Sequence, residues 1–89
     1  LLTVLYISLA QGQTTTQKEI LAVEQKNSFA QIQELNQNLV RLYQEKKFDE
    51  ALAIGKSILE IAQKANLLTD SPTLIAVGNL SEVYLAKSK

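Results

Sequence analysis

The side chains best placed to do chemistry are two adjacent carboxylates, Asp49-Glu50, two adjacent amines, Lys46-Lys47, and two tyrosines, Tyr43 and Tyr84. A general acid and base must converge on one reacting bond. Neighbours at a helix start point to different sides instead, and capping explains both acids. Lys46-Lys47 reads as a charged loop near a helix C-terminus, where cations are favoured. The chain has no histidine and no cysteine. That removes the commonest general base, the commonest metal ligand and any Ser-His or Cys-His nucleophile. No Gly-rich phosphate loop or metal-spaced cluster is present either. The expectation is a protein that is not an enzyme and carries no cofactor and no metal.

Composition narrows the partners. Nine basic residues balance nine acidic ones among 89, and neither sign is clustered. There is no basic stripe for nucleic acid and no polybasic patch for an anionic membrane. Apolar residues make up 46% of the chain, so it has the material for a packed core. Three glycines and one proline, with Ala, Leu, Gln, Glu and Lys abundant, favour helix over sheet. The absence of cysteine leaves the compartment undecided.

Residues 1–10 (LLTVLYISLA) are apolar and uncharged, and Gln11 to Lys18 switches abruptly to polar side chains. Ten helical residues cover about 15 Å, half of the roughly 30 Å hydrocarbon layer, so no membrane span is expected here. The stretch fits the h-region of a secretory signal, with Ser8-Leu9-Ala10 offering small residues before a cut at Gln11. On that reading the mature chain is secreted or periplasmic; as a short buried helix the stretch leaves the chain cytoplasmic. The chain starts at Leu1 without methionine, which reads as truncation upstream.

The elements that must position everything else are helical. Thr16-Gln17-Lys18-Glu19 has capping-box spacing, and residues 11–32 read as a polar segment leading into the first part of a long helix. Apolar residues recur at Leu21, Phe29, Ile32, Leu35, Leu39, Leu42 and Tyr43, in steps of three or four from Phe29 onward. Lys46-Lys47-Phe48-Asp49 reads as a turn, with Asp49 capping the next helix. That helix carries Ala51, Ile54, Ile58, Ile61 and Ala65 on one line, with Leu52 and Leu59 adjoining. Ser71 as N-cap and Pro72 at N1 open a third helix, with Leu74, Val77, Leu80, Val83 and Tyr84 expected on its inner side. The ranges are 33–47, 49–68 and 72–87, and no strand pattern appears. The fold class is all-α.

Two stretches 41 residues apart echo each other: Asn38-Leu39-Val40-Arg41-Leu42-Tyr43 and Asn79-Leu80-Ser81-Glu82-Val83-Tyr84. Between them stand Phe48 after the turn, Asp49-Glu50-Ala51-Leu52 at a helix start, and Ser71-Pro72-Thr73. With these residues, 33–89 resembles a tetratricopeptide repeat (TPR), in the longer variety of roughly 42 residues found in kinesin light chains and many bacterial repeat arrays. The resemblance implies antiparallel helix-turn-helix repeats, the start of an α-solenoid of one and a half repeats. It also implies a core role for Tyr43 and Tyr84, close helix approach at Ala51 and Ser81, and a helix B whose usual aromatic position is held by Gly55.

Repeats of this kind bind proteins and rarely carry out chemistry. The resemblance puts Gln37, Asn38, Arg41, Gln44, Glu45, Asn79 and Glu82 on a concave face. Such side chains can bond the backbone of a peptide partner, and Arg41 and Glu82 could instead pair with each other. The expected function is a protein- or peptide-binding scaffold. The alternative is the amino-terminal repeat region of a larger multidomain enzyme or signalling protein, for example one with a caspase-like effector domain. A third reading is a plain helical bundle that dimerises as a coiled coil. The apolar residues of the last helix also predict fraying or self-association when nothing follows to cover them.

Overall fold

A computed structural model describes the backbone of residues 2–89 and the side chains of residues 17–89. Every regular element among them is an α-helix: α1 (Leu2–Gln44), α2 (Phe48–Ala65) and α3 (Ser71–Ser88). α1 passes through Thr16 without a break, so the Thr16–Glu19 pattern does not open a helix. The physical reason is that nothing between Ala10 and Lys18 forbids helix. There is no proline, and the glycine at position 12 costs only about 1 kcal/mol. The hydrophobic stretch read as a signal core has side chains that lie outside the described residues. No helix among the described residues is long and apolar enough to cross a membrane.

α1 and α2 end in the same way. Lys46 and Asn66 adopt left-handed backbone, φ 62° and 60°. The amide of Lys47 donates to the Leu42 carbonyl at 2.8 Å, and that of Leu67 to the Ala62 carbonyl at 2.7 Å. Both are the six-to-one bond of a Schellman stop. The turn expected at Lys46-Lys47 is therefore present, but Phe48 and Asp49 already belong to α2. Lys47 is its N-cap and Asp70 that of α3, in place of the expected Asp49 and Ser71; neither caps its helix through a side-chain hydrogen bond. Asp49 and Glu50 sit in the first turn of α2, where their charge still suits the helix dipole.

Successive helices run antiparallel. Along α1 and α2, Gln25 Nε2 donates to the Ala65 carbonyl at one end, and the Tyr43 and Phe48 rings meet at the other, tilted by 54° with centroids 5.9 Å apart. Along α2 and α3, Lys87 pairs with Asp49, and Leu80 lies against Gly55. α1 and α3 therefore run in the same direction on one flank of α2. Asn36 Nδ2 ties them together by donating to the Pro72 carbonyl at 2.7 Å.

The core between the three helices holds Ile32, Leu39 and Leu42 from α1, and Ala51, Leu52, Ile58 and Ala62 from α2. Leu67 and, from α3, Ala76, Leu80 and Val83 complete it. Phe29, Leu35 and Tyr43 pack around its edge, as their spacing predicts, and Phe48 joins them. Each fully buried aliphatic side chain contributes about 1.5–3 kcal/mol of transfer free energy.

Several expected core positions are corrected. Leu21 is 60% exposed, because α2 reaches back along α1 only as far as the neighbourhood of Gln25. On α3 the buried line is Pro72, Thr73, Ala76, Leu80 and Val83, whereas Leu74, Val77 and Tyr84 are about half exposed. Ser81 is likewise exposed and bonds back to the Val77 carbonyl, so it mediates no close approach. Gly55 fills that role instead: a Cβ there would lie 2.6 Å from Leu80 Cγ.

Candidate functional site

The parallel arrangement of α1 and α3 leaves a groove of about 310 Å³ between them, lined by Leu39, Val40, Tyr43, Gln44, Asn79 and Glu82. Its walls follow from helix geometry. Residues three or four apart share a face, so 36, 39, 40 and 43 turn one edge of α1 toward α3. Leu39 is buried and Tyr43 half-buried, so their chains form the floor. Val40 stands at 38% exposure and offers apolar surface to whatever enters. The rim is polar, made of two amides and one carboxylate.

Of the seven residues expected on a concave face, the groove brings together Gln44, Asn79 and Glu82. Gln37, Asn38, Arg41 and Glu45 stand outside its lining; Asn38 is half-buried and the other three are exposed. Arg41 does not meet Glu82. Its Nη1 bonds Glu45 Oε2 at 2.9 Å, one turn along the same helix, and Lys47 Nζ reaches the other Glu45 oxygen at 3.2 Å. The i, i+4 spacing makes that partner available at little entropic cost. The hydrogen bond from Arg41, followed by that from Lys47, holds the Glu45 carboxyl below its ordinary 4.5.

The floor residues Leu39, Val40 and Tyr43 are the part of the lining that the sequence does not announce. Leu39 and Tyr43 read as core from their spacing; Leu39 lies in the core and Tyr43 packs against its edge. The one available signal is Val40, a large apolar side chain where the echoed stretch carries Ser81.

A second hollow, of about 350 Å³, lies where α1 passes the end of α2, lined by Leu21, Glu24, Gln25, Lys64, Ala65 and Asn66. It contains none of the expected contact residues. Among the described residues no three His, Cys, Asp or Glu side chains gather where they could hold a metal ion. No protein-family model matches the chain, and no curated protein or solved structure matches it either.

Proposed function

We propose that this chain is a helical-repeat scaffold, built like the start of a tetratricopeptide array, whose task is to bind a protein or peptide segment and which catalyses nothing. The observation that carries the reading is the side-by-side, parallel course of α1 and α3 on one flank of α2, with the apolar-floored, amide-rimmed groove between them. That is the relation in which first helices of successive repeats stand in a solenoid, and grooves of this type take segments by a few apolar anchors and backbone hydrogen bonds. The echo at 41 residues supports it independently. In this reading residues 1–10 remain a secretory signal core, which makes the mature chain secreted or periplasmic; a mature species beginning at Gln11 would bear that out.

The test is selection of short peptides from a random library on the immobilised chain, followed by amide-shift mapping. Binders should shift Val40, Gln44, Asn79 and Glu82, and lose most of their affinity on Val40→Glu. Peptides that map only to other surfaces, or a library that yields no binder, would overturn the proposal.

A further inference from the structure

We infer that the α1–α3 groove selects a segment offering an apolar side chain beside a lysine or arginine, an inference that rests on the reading of this groove as a peptide site. Glu82 is the one carboxylate in the lining, and no lysine or arginine accompanies it there. None of the described cations pairs with it. Arg41 and Lys47 both turn to Glu45, and Lys87 turns across α2 to Asp49. These three cations are thus committed to other carboxylates, and Glu82 leaves the rim of the groove negative.

Beside that carboxylate lies the apolar floor of Leu39, Val40 and Tyr43. At about 310 Å³ the groove is at the low end of ligand clefts, which span roughly 300–1,000 Å³. That is room for one anchoring side chain and its neighbour, not for a docked helix. Gln44 and Asn79 each present a donor and an acceptor to the backbone between those two side chains. A cationic neighbour then meets Glu82 without displacing an existing partner, whereas an acidic one meets like charge.

The experiment titrates the isotope-labelled chain with three acetylated and amidated peptides at millimolar concentration: Gly-Ser-Leu-Lys-Ser-Gly, and the same sequence with glutamine or glutamate for lysine. Expected are shifts at Val40, Gln44, Asn79 and Glu82, and affinities falling from lysine to glutamine to glutamate. For an exposed charge each step should be about twofold to fivefold and should shrink at high salt. Glu82→Gln should level the three affinities while the glutamine peptide still binds, and Glu82→Lys should invert the order. Equal binding of all three to the unaltered chain would overturn the charge preference and leave the groove reading standing. No shift with any peptide would overturn both. Movement of the same four resonances on simple dilution would show the groove filled by a second copy, which also overturns the inference.

Discussion

Leu80 of α3 rests directly on Gly55 of α2, in a space that any other residue at position 55 would fill. A Cβ there would lie 2.6 Å from Leu80 Cγ and 2.9 Å from its Cδ1. Gly55→Ala therefore sets two effects against each other. Replacing a helical glycine with alanine gains about 1 kcal/mol in propensity, while overpacking a filled core costs about 1–3 kcal/mol. The expected net result is a loss of about 1 kcal/mol. In a Leu80→Ala background the clash disappears, and the same substitution should gain about 1 kcal/mol. Urea unfolding of the four proteins of this cycle reads the change of sign. A Gly55→Ala effect equal in both backgrounds would show that the contact does not limit helix approach.

The junction of α1 with the start of α3 holds two buried polar side chains, Asn36 and Thr73. Asn36 bonds the Pro72 carbonyl, but the Thr73 hydroxyl has no hydrogen-bond partner in the protein. An unsatisfied buried hydroxyl costs about 1–3 kcal/mol. Thr73→Val keeps the shape, removes the hydroxyl, and should stabilise the fold by about 1 kcal/mol. Asn36→Ala breaks the tie and opens space, and should cost about 1–2 kcal/mol. Thermal melts decide both, and a destabilised Thr73→Val would mean the hydroxyl has a partner after all.

Lys46 holds a left-handed conformation at φ 62° so that α1 can stop and α2 can fold back. For a residue with a Cβ this costs about 1–2 kcal/mol, which glycine avoids. Lys46→Gly should raise stability by about 1 kcal/mol, net of glycine's greater freedom in the unfolded chain. Lys46→Ala should not, since alanine keeps the Cβ. Denaturant midpoints compare the two, and equal values would remove backbone strain from the account of this turn.

Arg41 and Lys47 both favour the ionised form of Glu45. A carboxyl whose folded pKa is depressed contributes stability above its unfolded value, here 4.5, and that contribution is lost as pH falls through the lower folded value. Carboxyl-detected titration should place the Glu45 midpoint below 4.5, and Arg41→Gln should move it back up. An unchanged midpoint in Arg41→Gln would show that the pair does not persist in solution.

The order and type of the helices were legible because their signals are local. The Phe29-to-Tyr43 spacing, the acidic start at Asp49-Glu50 and the punctuation at Pro72 each depend on a few adjacent residues. What could not be read was the face of α3. Between Ser71 and Ala86 its only charge is Glu82, so hydropathy is spread nearly all round and periodicity cannot choose a side. Packing chose Thr73, Ala76, Leu80 and Val83, two of them small or polar, over the larger Leu74, Val77 and Tyr84. Gly55 is why: a glycine notch on α2 admits Leu80, and Leu80 fixes the rotation of the whole helix. The groove was half legible for the same reason. Asn79 and Glu82 belong to the echoed stretch and Gln44 follows from the resemblance, but Arg41 pairs with Glu45, one turn along its own helix.

The rotation set by Leu80 has a cost on the opposite side of α3. Leu74, Val77, Tyr84 and Leu85 stand 46–58% exposed along one uncharged strip, with Ser81 and Gly78 between them. Exposed apolar residues in contiguous patches favour association, and no charge on this strip opposes it. The chain should therefore associate as its concentration rises through the micromolar range, with sedimentation coefficients that increase accordingly. Leu74→Gln with Leu85→Gln should return it to a monomer. Because both side chains face solvent already, the doubly substituted monomer should melt within about 1 kcal/mol of the stability of the dilute parent. A parent that stays monomeric at high concentration would show that these residues are covered by the chain's own segments. A substituted protein that unfolds would show that they belong to the core, and that α3 turns a different face to α2 than the one Leu80 marks.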